Sequence, residues 1–170
     1  MAKRTKKREK PNDDGPYLAA AIYCERAIED KQDGAFSAIR IVDQLNIRLS
    51  PDAPPGFPSR EHPIPMSLSG LLCFKTGETG GGEHALRLVA HSPSGKAQVL
   101  YEENLILTPQ PHGGANLRLN TVVLVQEGGL FWLDVFLDGK RLTRMPLQIT
   151  VERGEAPPNP PPGQQKTSQA

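Results

Sequence analysis

The dipeptide Asp138-Gly139, inside FWLDVFLDGKRLTRMPLQITV, constrains this chain more than any other feature. A two-residue Asp-Gly link between alternating apolar rows marks a β-hairpin, because both central positions of a type I′ turn need positive φ. Phe131, Leu133, Val135 and Leu137 form one row of the first strand. Trp132 and Phe136 stand in the other row, between Asp134 and Asp138. An inward row of Trp, Asp, Phe and Asp would bury charge at considerable cost. The sequence therefore places the Leu133 row in the core and Trp132 with Phe136 on an outer face.

The same turn sets the register beyond it, with Leu137 opposite Lys140 and Val135 opposite Leu142. Strict continuation would put Arg144 opposite Leu133 and would place Leu147 and Ile149 in the row of Trp132. A slip of one residue reverses the faces of a strand. A bulge near Arg144 to Pro146 is therefore predicted, returning Leu147, Ile149 and Val151 to the core. Pro146 has no N–H to donate and suits a bulge or an edge.

The rest of the body follows the same pattern. Gly and Pro interrupt an apolar period of two, which predicts an all-β sandwich or barrel. Ile39, Ile41, Leu45, Ile47 and Leu49 read as one face of a strand with a bulge or bend at Asp43. PDAPPGFPSREHPIP reads as a Pro-rich connection that can hold neither helix nor central strand. Met66, Leu68, Leu72 and Phe74 form the next row, with Leu71 and Cys73 on its other side. KTGETGGGE reads as a flexible loop. The row Leu86, Leu88, Ala90 follows, then a turn at Ser92 to Gly95, a strand over Val99 to Leu107, and the row Leu117, Leu119, Val123, Val125. LAAAIYCERAIED is ambiguous: local propensity favours helix, yet Leu18, Ala20, Ile22 and Cys24 also alternate as the inward side of a strand.

A further pattern joins these pieces. It runs Cys24-Glu25, then Gly34-x-x-Ser37-Ala38-Ile39-Arg40-Ile41-Val42-Asp43. A Pro-rich link, Leu86-x-Leu88 and Pro93-x-Gly95 come next, then Gly129-x-x-Trp132, Asp138-Gly139 and Pro146-Leu147. This resembles a group of small bacterial proteins known only as a domain of unknown function. The resemblance spans about Tyr17 to Val151. It implies an immunoglobulin-like β-sandwich and a bacterial or phage origin, and it carries no catalytic residues. With it, Tyr17 to about Cys24 is taken as a strand, followed by a turn at Lys31 to Gly34.

The two ends differ from the body. MAKRTKKREK holds six Lys or Arg against one Glu, and GEAPPNPPPGQQKTSQA has no apolar period. Neither can bury enough apolar surface to offset chain entropy, so both are expected to be disordered. Between Pro16 and Arg153 stand 13 Lys or Arg and 15 Asp or Glu, so the overall charge of +1 combines a basic end with a slightly acidic body. No apolar run reaches 18 residues, so no membrane span is expected. Polar residues 12–16 and the short run YLAAAIYC do not make a signal peptide. The chain reads as cytosolic, with Cys24 and Cys73 as buried free thiols.

Signatures of chemistry are lacking in the sequence. His62, His84, His91 and His112 are scattered over loops and strand ends, with no zinc spacing, and read as histidines in solvent; His84 and His91 flank one strand and, an odd number apart, would face opposite sides. There is no nucleophile elbow, and Glu25 beside Cys24 would disfavour a thiolate. Glu102 and Glu103 are adjacent on a strand and point apart, as on a solvated edge. GETGGGEH lacks the Lys-Ser/Thr ending of a phosphate loop.

The expected protein is an immunoglobulin-like antiparallel β-sandwich of about 7–9 strands over residues 16–153, with tails at 1–15 and 154–170. It is expected to act as a non-enzymatic binding or assembly module without cofactor or metal. Trp132 and Phe136, joined by Leu124 and Val122 on a neighbouring strand, would form an apolar patch for a protein partner or for self-association. The alternative is a nucleic-acid-associated accessory protein. Lys3, Arg4, Lys6, Lys7, Arg8 and Lys10 would then bind phosphate weakly, without sequence preference and in a salt-sensitive way.

Overall fold

In the computed structural model, residues 15–110 and 113–155 are described. Among them run nine strands and no helix: β1 Tyr17–Glu29, β2 Phe36–Ile41, β3 Gln44–Leu49, β4 Ile64–Lys75, β5 Gly82–His91, β6 Ala97–Leu107, β7 Gly114–Val125, β8 Gly129–Leu137 and β9 Lys140–Arg153. They form a four-stranded sheet in the order β2-β1-β4-β7 and a five-stranded sheet in the order β3-β9-β8-β5-β6. No helix among the described residues is long and apolar enough to cross a membrane. The basic run and the residues from 156 onward lie outside the described part.

The inward rows of both sheets close one core. Leu68, Leu72 and Phe74 of β4 and Leu119, Val123 and Val125 of β7 meet Leu86 and Leu88 of β5, the Leu133 row of β8, and Met145, Leu147 and Ile149 of β9. Leu72, Phe74, Leu88, Val135 and Ile149 are wholly buried. Burial of a side chain of this size contributes about 1.5–3 kcal/mol. Gly70 lies in the β4 row where a Cβ would meet the Ile22 carbonyl oxygen at 2.8 Å, so a side chain there would push β1 away.

The hairpin forms as its dipeptide requires, with φ of 50° at Asp138 and 77° at Gly139. The bulge exists but not where the sequence put it. The ladder is regular through Leu133↔Met145, Trp132↔Pro146 and Phe131↔Leu147, and the shift falls between Val135↔Thr143 and Phe136↔Arg141. Leu142 is the extra residue. Placing it next to the turn sends Met145 inward and leaves Arg144 facing outward, opposite Asp134.

Three further expectations are corrected in part. First, β1 is the expected strand, but it runs 13 residues to Glu29 rather than ending near Cys24, because β4 and β2 pair with its backbone and override helix propensity. A bulge between Leu18 and Ala20 changes its faces. Leu18, Ala21 and Tyr23 turn to the main core, while Ile22 and Cys24 join Leu71 and Cys73 in a small cluster apart from it. Second, Ser37 to Leu49 is not one strand. Asp43 marks the crossing from one sheet to the other. Ile39 and Ile41 are exposed on β2, whereas Leu45, Ile47 and Leu49 on β3 are not. Third, the two-sheet body is not wholly antiparallel: β3 runs parallel to β9, Gln44↔Gln148 through Leu49↔Arg153.

The loops are tied down by named groups. The Arg153 guanidinium binds the carbonyls of Pro51, Ala53 and Pro54, holding the Pro-rich connection to the end of β9. The loop after β4 is pinned rather than loose. Buried Thr76 donates through Oγ1 to Gln110 O at 2.8 Å, and Gly80 N–H bonds Thr76 O at 3.0 Å. Gly154, expected in the tail, donates to Leu49 O at 2.9 Å.

Candidate contact face

The outer row of β8 lies in the middle of the five-stranded sheet, between β5 and β9. Register sets its neighbours. Trp132 is opposite His91 and Pro146, Asp134 opposite Val89 and Arg144, and Phe136 opposite Arg87 and Arg141. Directly opposed strand residues share a side. The face therefore gathers two aromatic rings, three arginines, a histidine and one carboxylate.

That carboxylate is the unusual element, because Asp134 is only 2% exposed. Arg144 grips it with two bonds, Nε to Oδ1 at 2.6 Å and Nη2 to Oδ2 at 2.7 Å. His91 Nε2 stands 3.0 Å from Oδ2, at an angle that falls short of a hydrogen bond. Arg141 Nη1 is 3.7 Å away. The Arg144 hydrogen bonds hold the Asp134 pKa below the ordinary carboxylate value despite burial. A bidentate arginine satisfies a desolvated carboxylate better than a point charge does.

Each ring on the face lies under a guanidinium. Arg144 Cζ is 5.5 Å from the Trp132 ring centroid, and Arg87 Cζ is 5.2 Å from that of Phe136. Both distances are within cation–π range. Trp132 and Phe136 stay half-buried. Arg144 is thus held between Asp134 and Trp132, with its charge and ring contacts fixed in advance.

Trp132 and Phe136 do sit outward, but Val122 and Leu124 do not join them. β7 belongs to the four-stranded sheet, opposite β4 rather than β8. Val122 and Leu124 are 51% and 45% exposed on that other sheet. The joint patch is corrected to two separate surfaces. The sequence pattern identified outward positions but could not say which sheet each strand enters. The six basic tail residues lie outside the described part.

The histidines are corrected in part. His84 and His91 lie on opposite sides of β5, as their odd spacing predicts, but both are strand residues beside carboxylates rather than free loop side chains. His84 Nδ1 is 2.7 Å from Asp138 Oδ2, and its Nε2 is 3.0 Å from Gly80 O. The His84 bond, joined by Ala85 N–H on Oδ1, lowers the Asp138 pKa. His62 is exposed, and His112 is outside the described residues. Both cysteines are free, and burial raises both thiol pKa values. For Cys24 burial is the leading cause, while Glu25 is taken up by Arg40 at 2.9 Å. Glu102 and Glu103 are exposed on edge strand β6. Among the described residues, no three His, Cys, Asp or Glu side chains gather to hold a metal.

The residues that sequence reasoning missed are His91, Asp134 and Arg144 as a group. The available signal was an aspartate between two outward aromatic residues, with an arginine ten positions on. Only the position of the bulge brings that arginine opposite the aspartate.

No protein-family model matches the chain, and a comparison with curated proteins finds no relative. Among solved structures, the chain is similar over 81% of its length to an alkylpurine DNA glycosylase of Pseudomonas fluorescens bound to DNA containing an abasic site analog, at 11% identity and a TM-score of 0.41. It is similar over 66% of its length to a β-glucosidase of Listeria innocua in complex with glucose, at 12% identity and a TM-score of 0.44. The chain spans 31% and 15% of those proteins, and likenesses this distant carry no function to it.

Proposed function

We propose that this protein is a non-enzymatic β-sandwich module that binds a protein partner, or a second copy of itself, through the outer face of β5, β8 and β9. One observation carries the reading: Trp132 and Phe136 lie outward on a central strand, each under an arginine, with Arg144 locked by buried Asp134. Aromatic and arginine side chains are enriched where protein interfaces concentrate their energy, and fixed rotamers reduce the entropy lost on binding. An immunoglobulin-like fold is part of the proposal. Its support is nine strands in two sheets, with links such as β4 to β5 and β6 to β7 that cross between sheets.

The test is the mass in solution of wild type and Trp132→Ala by light scattering, over a range of concentrations. An oligomeric wild type with a folded, monomeric variant makes this face a self-association surface. If both are monomers of equal stability, the contact is with a foreign protein, and the variant should lose that partner. A variant that keeps every partner and mass of the wild type overturns the reading. A second reading rests on the basic run alone: nucleic-acid binding that vanishes when Lys3, Arg4, Lys6, Lys7, Arg8 and Lys10 become Ser would favour it.

A further inference from the structure

One side of the sandwich is only half closed. β2 pairs with β1 from Cys24 to Glu29, and β3 pairs with β9 from Gln148 to Arg153. Before those limits, residues 17–22 of β1 pair only with β4, and residues 140–147 of β9 pair only with β8, among the described residues. Between them lies a groove of about 420 Å³, lined by residues 16–21 and 140–143. An unpaired strand edge presents N–H and C=O groups to any extended chain that fits.

The two half-edges are not equivalent. Gln148 donates its N–H to Asp43 O on the β3 side at 3.0 Å. Backbone groups alternate along a strand, so residue 146 points the same way. It is Pro146, and the donor is missing there. β1 contains no proline, and Ala19, Ala20 and Ala21 leave room beside its edge. β1 is therefore the edge able to pair.

The groove also selects its occupant. The chain crosses from β2 to β3 at Val42 and Asp43, and Val42 N–H bonds Tyr23 O at 3.0 Å, closing that end. The crossing blocks a folded sheet edge, whereas a free strand paired along residues 17–22 would be about six residues, ~20 Å long at 3.3 Å each. Lys140 and Arg141 line the groove, and none of the residues lining it is acidic. Arg141 also stands 3.7 Å from Asp134, while Lys140 is exposed. The carboxylate near the open end, Asp138, is engaged by His84 and Ala85. The chain's own residues 3–10 carry six cations and mismatch this charge.

We propose that an acidic peptide in extended form binds here as an added strand on the edge of β1. The probe is a fluorescein-labelled octapeptide of alternating Glu and Val, titrated with the full-length protein by anisotropy. Saturable binding is expected. It should weaken at least tenfold with Lys140→Glu plus Arg141→Glu, and also with a probe N-methylated at alternate backbone nitrogens. Failure of the Glu-Val probe to bind, or equal binding of a Lys-Val probe, overturns the proposal. Amide hydrogen exchange of the free protein is the second measurement. Rapid exchange at Ala21, whose N–H faces the open edge on the same side as Tyr23 O, slowed by the probe, supports it. Slow exchange without probe means the edge is already occupied and overturns it; dependence on protein concentration then identifies a second copy, and independence the chain's own tail.

Discussion

Asp134 is charged, buried and on the outside of a sheet at once. Arg144 makes this tolerable by supplying two bonds to the oxygens that water would otherwise solvate. Because its folded pKa lies below the unfolded value, Asp134 stabilises the fold fully above about pH 5 and loses that contribution as pH falls through the folded pKa. Asp134→Asn is expected to destabilise the protein by about 1–3 kcal/mol at pH 7. It should also flatten the acid side of the stability profile, which urea melts at pH 7, 5 and 3 would show. Some slope should remain, since Asp138 and Glu127 are depressed too, Asp138 by His84 and Glu127 by its bonds from Ser94. At the turn, Gly139 adopts φ of 77° with open space around it. Gly139→Val should cost about 1–2 kcal/mol through backbone strain alone, read from the thermal melt. These residues were legible in unequal degree. The turn was readable because one dipeptide meets its geometry unaided. The Asp134 cluster was not, because its members come from three strands.

Among elements, the β8–β9 hairpin shows how one extra residue governs a face. Leu142 is surplus to the ladder. Deleting Thr143 would remove the bulge, set Leu142 opposite Val135 and keep Arg144 opposite Asp134. Deleting Met145 cannot keep both Arg144 outward and Leu147 inward. The first variant should fold with a melting temperature close to wild type, and the second should lose cooperative unfolding and its dispersed amide spectrum. Equal behaviour of the two would refute the face argument. The sequence required a bulge here, since the hairpin turn and the row of Leu147 and Ile149 disagree by one residue. It did not fix the location, because any position between turn and row repairs the disagreement. β1 adds the converse case: good helix formers become strand because β4 and β2 offer their backbones as partners.

Across the whole molecule, stability should be graded by how each strand is enclosed. β4 and β8 are central and carry wholly buried side chains, whereas β2 and β6 are sheet edges. Hydrogen exchange should accordingly be slowest in β4 and β8 and fastest in β2. A protected β2 would mean that something pairs with its free edge. What the sequence determined by itself was everything set by period two and by local turn chemistry: an all-β body, the inward Leu133 row, the outward Trp132 and Phe136, and the hairpin at Asp138. These follow from φ preferences and from the cost of burying charge, which act within a few residues. Which sheet each strand joins was decided only in three dimensions. A strand's alternation is satisfied equally well in either sheet, and the choice depends on partners dozens of residues away. That choice separated Val122 and Leu124 from Trp132, split the strand at Asp43, set His91 beside Asp134, and left the edge of β1 half open.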